Sequence, residues 1–205
     1  MEKRTLQIYL IRHGRTEGNQ KKRYIGTTDE PLCREGIGEL ENRQYPHAQI
    51  WLSSPLRRCL QTAKIIAAAE PEIVPDFREC DFGLFENKNY LELADCLEYQ
   101  AWIDSGGMLP FPGGESREVF TRRSCRAFEE KVDLLLRNGY EGAGMVVHGG
   151  TIMSVMERFA RPQREYYQWH TENGGGYQVT VEEQLWHQER ILAGWQPLTG
   201  ENAGD

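Results

Sequence analysis

The sequence lacks the features that mark several large classes of proteins. Its five cysteines are scattered singly with no C-x-x-C pair, so neither a zinc site nor a disulfide framework is expected. Its formal net charge of −7 disfavours a nucleic acid or an anionic membrane as partner, because both select for basic surfaces. An apolar run near the N-terminus covers only 8–11, too short for a signal peptide or a membrane span. We therefore expect a cytoplasmic protein with reduced thiols and no metal or other cofactor.

Three motifs of phosphate chemistry are missing as well. No cysteine is followed by an arginine six residues later, which excludes a cysteine-dependent phosphatase. No D-x-D occurs, which excludes an aspartate-dependent one, and no P-loop is present. Any phosphate site in this acidic chain must therefore be a local concentration of arginines.

The residues that are present predict one α/β domain over 1–205. The composition, 39% hydrophobic and 27% charged, suits a single domain with a sizeable core. Short apolar or alternating runs predict strands at 6–11, 50–52, 145–147 and 177–181. Apolar residues at helical spacing predict helices that begin at Pro55, near Ser116 and at Thr151. This alternation predicts a three-layer α/β/α sandwich with a mostly parallel central sheet.

Three of the predicted strands end in residues suited to an anion. They end at Arg12-His13, Ser53-Ser54 and His148-Gly149. In parallel sheets the functional crevice lies beyond the carboxyl ends of the strands, so these segments are expected to meet. Helix N-termini and nearby guanidinium groups both favour a bound anion there. The other histidines, His47, His170 and His187, are interpreted as structural.

Six motifs follow one another along the chain. They are L-I-R-H-G-R-T-E-G-N at 10–19, D-E-P-L at 29–32, S-S-P-L-R-R-C-L-Q-T-A at 53–63, R-E-C-D-F-G at 78–83, P-G-G-E-S at 112–116 and V-H-G-G at 147–150. In this order they resemble the histidine phosphatase superfamily, in its phosphoglycerate mutase-like branch. A bare R-H-G tripeptide would be weak evidence, whereas several ordered motifs over about residues 6–181 form a specific match.

The resemblance implies a metal-independent phosphomonoesterase that acts on small phosphorylated metabolites. It implies that His13 attacks phosphorus and carries the phosphoryl group as a covalent intermediate. Arg12, Arg58 and His148 would stabilise the non-bridging oxygens, and the alignment selects Arg58 over Arg57 as the phosphate ligand. The same resemblance implies the phosphoglycerate mutase-like fold.

Three further roles are implied by the resemblance. Asn19 would hold the phosphate from the loop side, and Gly149 would approach it with its backbone N–H. Glu79 would protonate the leaving oxygen and then activate the water that hydrolyses the phosphohistidine. Glu79 must then be protonated when the substrate binds, so its pKa is expected above the free value of about 4.3. Activity should peak at mildly acidic pH.

The chain departs from the family pattern at two places. The family usually has tryptophan, glutamate and glycine where this chain has Phe85, Glu86 and Asn87, and Glu86 is a second carboxylate that could serve as the proton donor. Cys33 stands where a serine or threonine often caps a helix, at a cost of about 1 kcal/mol.

Substrate and assembly stay open at this stage. A helical cap insertion around 86–115 is expected to set selectivity, and its aromatic residues Tyr90, Tyr99, Trp102 and Phe111 could pack against a substrate. Candidate substrates include α-ribazole phosphate and sugar phosphates. Two other functions are alternatives: phosphoglycerate mutase-type phosphoryl transfer, disfavoured by the short segment between Glu79 and His148, and an inactive module that binds phosphorylated ligands. A homodimer is compatible with the sequence.

Overall fold

The computed structural model of the chain describes residues 4–67 and 69–198, and within them a six-stranded sheet forms the centre. Its strands are β1 Thr5–Arg12, β2 Ile50–Ser53, β3 Glu72–Ile73, β4 Gly142–Val147, β5 Gly176–Glu182 and β6 Gly194–Leu198. They lie in the order β3-β2-β4-β1-β5-β6. Pairing is parallel from β3 to β1 and antiparallel on both sides of β5. The predicted mostly parallel α/β sheet is confirmed.

Seven α-helices connect the strands in the described part of the chain. They are α1 Glu17–Gln20, α2 Arg34–Glu41, α3 Arg57–Ala67, α4 Leu97–Asp104, α5 Arg117–Arg137, α6 Gly149–Phe159 and α7 Glu183–Glu189. Three short 3-10 turns lie at Pro75–Phe77, Gly83–Phe85 and Tyr166–Trp169.

Of the three predicted helix starts, one agrees with the structure and two are shifted by two residues. Ser116 caps α5 as expected, its side chain accepting a hydrogen bond from the N–H of Val119. Helix α6 begins at Gly149, two residues before the predicted start, because the carbonyl of His148 already accepts from Ile152 at 3.1 Å. Pro55 precedes α3 rather than lying in its first turn, since the helix begins at Arg57.

Alternating side chains of the strands divide the core into two layers. Leu6, Ile8 and Leu10 of β1 face the same side of the sheet and pack in one cluster with the buried stripes of α5 and α6. Ile11, one step out of that alternation, belongs to a second cluster with Ala63 of α3. Helices therefore cover both faces of the sheet, which gives the predicted three layers.

A third cluster is almost entirely aromatic. Residues 86–115 contribute α4 and the loops around it, and this segment packs against the turn at Gly83–Phe85 and the start of α5. Its buried aromatic members are Phe85, Tyr99, Phe111 and Phe120, with Trp102 packed against them.

The strand register brings the site together. In β1 and β4 Arg12 pairs with Val147, so His13 and His148 follow at the same edge of the sheet. The N–H of His13 donates to the carbonyl of Val147 at 3.0 Å and extends the ladder by one residue. Strand β2 ends beside β4 at Ser53. The carboxyl ends of three parallel strands thus open on one side, where a crevice is expected.

Candidate active site

Two buried histidines face each other at this edge. The ring centroids of His13 and His148 are 5.1 Å apart, and the residues are 4% and 0% exposed. Nδ1 of His13 lies 2.7 Å from the carbonyl oxygen of Gly14. Because a carbonyl only accepts, Nδ1 carries the proton, and in the neutral ring Nε2 keeps its lone pair. Burial, followed by the charges of Arg58 and Arg12, lowers the pKa of His13 well below its usual value.

His148 is fixed by two side chains from β2 and α3. Its Nε2 lies 2.7 Å from Oγ of Ser54 and 3.5 Å from Sγ of Cys59. Burial, then the nearby charge of Arg58, lowers its pKa well below the ordinary value, so this ring is also neutral. The sequence predicted that Ser53-Ser54 would lie near His148 at the strand ends, but the hydrogen bond between Ser54 and His148 was not predicted.

Two arginines flank the imidazoles. Arg58 is completely buried, and its guanidinium donates to the backbone carbonyls of Thr28 at 2.8 Å and Gly26 at 2.9 Å. Arg12 donates to the carbonyl of Thr171 at 2.7 Å. The Nε–H groups of both arginines are buried and have no hydrogen-bond partner among the described residues. Unsatisfied buried donors are costly, so this pair is suited to an anion that accepts from them.

The structure separates Arg58 from its neighbour Arg57. Arg57 is exposed, and its backbone N–H donates to Oδ1 of Asp29 at 2.7 Å. The choice of Arg58 as the anion-facing residue thus agrees with the geometry.

Glu79 approaches from the opposite wall. Its carboxylate accepts from the N–H of Cys80 at 3.0 Å and, more weakly, from that of Gly150 at 3.4 Å. A Cβ on Gly150 would lie 2.6 Å from Oε1 of Glu79, so only glycine permits this approach. Burial raises the pKa of the Glu79 carboxyl, although these hydrogen bonds and the positive charge of Arg58 oppose the shift.

An ion pair holds the backbone on both sides of Glu79. Arg123 binds Glu115 through two nitrogens, at 2.7 and 2.6 Å. The same guanidinium donates to the carbonyls of Arg78 at 2.8 Å and Glu79 at 2.9 Å. Arg123 therefore fixes where the acidic side chain starts. Sequence reasoning missed this role, since an arginine within a helix carries no local signal for it.

Glu86, the second candidate acid, has a different task. It accepts from the N–H of Thr27 and from the hydroxyl of Thr28, both at 2.8 Å, and from the N–H of Gly26 at 3.2 Å. It thereby holds the loop whose carbonyls bind Arg58. Glu86 is not among the residues that line the cavity beside Glu79.

The departures from the family pattern are accommodated locally. Phe85, in place of tryptophan, is fully buried in the aromatic cluster. Asn87, in place of glycine, has a φ of 57°, a left-handed conformation that asparagine tolerates better than most residues.

Asn19 lies beside His13 with its amide oxygen already engaged. That oxygen accepts from the N–H of Thr16 at 3.2 Å and from Nδ2 of Asn173 at 3.1 Å. Asn173 also donates to the carbonyl of His13 at 3.1 Å, so it ties the loop of Asn19 to the nucleophile candidate. Asn173 was not predicted, because it comes from a distant segment before β5.

His170 departs from its structural interpretation. It lines the cavity, and its Nε2 is 3.4 Å from Nη1 of Arg12. Burial, then Arg12, lowers the pKa of His170. His47 and His187 are exposed and do not line the cavity.

A cavity of about 240 Å³ opens beside these groups. Arg12, Glu79, Gly149 and Gly150 line one end, and most of the other lining side chains are aromatic, with Met153, Arg117 and His170 among the remainder. A Cβ on Gly149 would lie 3.4 Å from Nε of Arg12, so the backbone there is close to the guanidinium. Among the described residues no group of three His, Cys, Asp or Glu side chains could hold a metal ion. None of the described helices is long and apolar enough to cross a membrane.

Comparison with known proteins defines the class. The sequence profile of the histidine phosphatase superfamily (branch 1) matches residues 8–193. The chain belongs to this family, whose members include enzymes that hydrolyse phosphate esters. The family prediction made from the ordered motifs is confirmed.

Individual relatives carry more particular names. The adenosylcobalamin/alpha-ribazole phosphatase of Salmonella typhimurium is 27% identical over 82% of this chain and 87% of its own. A 2,3-bisphosphoglycerate-dependent phosphoglycerate mutase of Cytophaga hutchinsonii is 29% identical over 73% of this chain and 75% of its own. The crystal structure of the alpha-ribazole phosphatase from Shigella flexneri superimposes with a TM-score of 0.75, at 22% identity, over 97% of this chain and 96% of that one. The last likeness establishes the fold.

Proposed function

We propose that the chain hydrolyses phosphate monoesters of small metabolites in two steps, through a phosphoryl group carried on Nε2 of His13. The observation that carries this proposal is the pair of buried imidazoles 5.1 Å apart, flanked by two arginines whose buried Nε–H groups have no partner in the described part of the chain. A phosphate monoester is anionic and repels nucleophiles, so neutral nitrogen nucleophiles and nearby cations suit it.

In the first step Nε2 of His13 attacks phosphorus in line. The N–P bond forms as the bond to the ester oxygen breaks, and the protonated Glu79 gives its proton to that oxygen. Arg12, Arg58 and His148 stabilise the charge on the non-bridging oxygens, and Asn19 and the backbone of Gly149 border the same group. The Nδ1 hydrogen bond to Gly14 supports this tautomer throughout.

In the second step water replaces the alcohol. Glu79, now a carboxylate, takes a proton from water while the water oxygen attacks phosphorus and the N–P bond breaks. Inorganic phosphate leaves, and His13 and Glu79 return to their starting protonation states. Glu79 rather than Glu86 fits this exchange, because the oxygens of Glu86 are bound to the loop at 26–28.

We also propose that the enzyme acts in the cytoplasm on a small phosphorylated metabolite, without a nucleic-acid or membrane partner. Five free cysteines and the net charge of −7 support this proposal. A homodimer stays compatible with it.

The test is to trap the intermediate. Brief reaction with ³²P-labelled substrate and quenching in alkali should leave an acid-labile phosphoryl adduct, absent in His13→Ala. The turnover of His13→Ala should fall at least about 10³-fold. His47→Ala, which removes an exposed histidine outside the cavity, serves as the matched control and should keep both adduct and turnover.

An adduct that persists in His13→Ala would contradict the proposal. An assay for 3-phosphoglycerate isomerisation beside phosphate release separates hydrolysis from mutase-type transfer, since a mutase returns the phosphoryl group to a sugar acid.

A further inference from the structure

We call the end of the cavity lined by Arg12 and Glu79 the phosphate-binding end. The part of the cavity beyond it has the size of a small ring system. A dry apolar cavity of roughly 150 Å³ accommodates benzene. The cavity here measures about 240 Å³ and includes the end at Arg12 and Glu79. The remaining space therefore suits a leaving group of one or two rings.

The walls of this part are apolar and held by mutual packing. We call the following side chains the aromatic wall: Tyr24, Phe82, Phe111, Met153, Tyr166 and Tyr167. Edge-to-face contacts join Phe82 to Phe111 at 5.0 Å and to Tyr24 at 5.3 Å between ring centroids. Rings in such contacts lose little freedom when a further ring binds, and the thioether of a methionine also contacts aromatic faces favourably.

The charges around the aromatic wall disfavour a second anionic group on the substrate. Arg117 is the one arginine among the described lining residues away from the phosphate-binding end. It is paired with Glu157 at 3.3 Å, and its guanidinium lies 4.1 Å from the ring centroid of Tyr166. A carboxylate placed here would lose water without gaining an unpaired cation, which is unfavourable.

We propose that the leaving group of the natural substrate is uncharged and carries a flat aromatic ring, which contacts the aromatic wall while the phosphate lies beside His13 and His148. Phosphorylated sugar acids and amino acids are then poor substrates. The inference rests on the proposed phosphatase function and deepens it by naming the class of leaving group.

The test uses probes whose leaving oxygens have similar intrinsic reactivity. They are 2-phenylethyl phosphate, propyl phosphate and 3-phosphoglycerate, all esters of primary alcohols. We expect kcat/KM for 2-phenylethyl phosphate to exceed that for propyl phosphate at least roughly tenfold, through burial of the phenyl ring. We expect 3-phosphoglycerate to be no better than propyl phosphate.

A pair of tyrosine variants locates the effect. Tyr167 lines the cavity and is 59% exposed, whereas Tyr90 is 55% exposed and lies outside it. Tyr167→Ala should lower the ratio of the two kcat/KM values by roughly three- to tenfold, the effect of losing one aromatic contact. Tyr90→Ala should leave that ratio unchanged.

Other outcomes would overturn the inference. One is an equal kcat/KM for 2-phenylethyl phosphate and propyl phosphate, observed together with a His13 adduct. That result would leave the proposed phosphatase function intact. Another is a preference for 3-phosphoglycerate that Arg117→Gln abolishes, which would show that Arg117 binds a second anion. If no probe yields phosphate or an adduct, the proposed function itself fails.

Discussion

The two ends of the cavity are built in different ways. Near the phosphate-binding end, His148 and Arg58, which do not themselves line the cavity, are fully buried and bonded to backbone or side chains from separate segments. At the aromatic wall, ring-to-ring contacts such as that of Tyr166 with Tyr167 predominate over hydrogen bonds, and Tyr167 is 59% exposed. Directional bonds fix charged atoms to within fractions of an ångström, whereas apolar contact tolerates different shapes.

This difference separates chemistry from selectivity. In the proposed function, the arginines and histidines of the phosphate-binding end contact the phosphoryl group that every phosphate monoester shares, whereas the aromatic wall contacts the part that differs from one substrate to another. Changes to these arginines and histidines should therefore affect all substrates equally, and changes to the aromatic wall should affect them unequally. Glu79, which would protonate the leaving oxygen, is the exception, because its effect depends on how much that oxygen needs a proton.

A large loss of activity, equal for all substrates, is expected from Arg58→Lys. Lysine keeps the positive charge but lacks the planar guanidinium group. In Arg58 that group donates to the carbonyls of Gly26 and Thr28 and leaves its Nε–H for the anion. We expect kcat/KM to fall roughly 10²- to 10³-fold, as for the loss of one transition-state donor, and by the same factor for aromatic and alkyl substrates. Steady-state kinetics on the probe esters measure it.

Its matched control is Arg57→Lys, at the exposed neighbouring position. That variant should behave like the unchanged enzyme. A loss in Arg58→Lys confined to one substrate would break the distinction between the two ends.

The sequence predicts the phosphate-binding end far better than the rest of the cavity. His13 and His148 follow strand ends directly, so the topology of a parallel sheet alone places them together. Asn173 and His170 come from a long connection before β5, where nothing in the local pattern indicates that β5 returns beside β1. Their places depend on tertiary packing that no residue spacing records.

The prediction of helix starts is limited in the same way, because some starts depend on contacts with other residues. Ser116 was identified because a serine cap has a local signature. Gly149 was not identified as the start of α6, because glycine is a poor helix former and its place there follows from the carbonyl of His148. A helix start can be predicted from the sequence where the conformational preference of the residue itself determines it. It cannot be predicted where a contact with another residue determines it.

A loss of activity that depends on pH and on the leaving group is expected from Glu79→Gln. In the proposed mechanism kcat/KM requires neutral His13, present above its lowered pKa, and protonated Glu79, present below its raised pKa. Activity should therefore fall as pH rises through the pKa of Glu79. The variant should lose about 10²- to 10⁴-fold for alkyl esters and lose this alkaline fall. With 4-nitrophenyl phosphate, whose leaving group needs no proton, the loss should be much smaller.

Glu86→Gln is the matched comparison for the proton donor. It should retain the alkaline fall, whatever its effect on turnover through the loop at 26–28. If Glu86→Gln removed the alkaline fall and Glu79→Gln kept it, the assignment of the acid would be reversed.

The protonation of Glu79 also affects the stability of the fold. A raised pKa in the folded protein means that Glu79 binds its proton more tightly when folded, so stability declines as pH rises from the unfolded value through the folded one. Glu79→Gln removes that decline, and its stability advantage over the unchanged enzyme, measured by urea unfolding, should grow as pH rises above the unfolded value of about 4.3. The lowered pKa values of His13 and His148 act in the other direction, removing stability as pH falls below about 6.5.

The smallest effect is expected at the N-terminal cap of α2, where a change should alter the stability of the fold without altering catalysis. Cys33 caps α2, and its Sγ accepts from the N–H of Gly36 at 3.4 Å, a weak bond because sulfur is a poor acceptor. Cys33→Ser should stabilise the fold by about 0.5–1 kcal/mol, and Cys33→Ala, which removes the acceptor, should destabilise it by a similar amount. Urea midpoints measure the difference, and kcat/KM should stay constant in both variants. Were turnover to change with the cap, the loop that carries Asn19 would have to be coupled to α2, and the phosphate-binding end would be less rigid than its hydrogen bonds indicate.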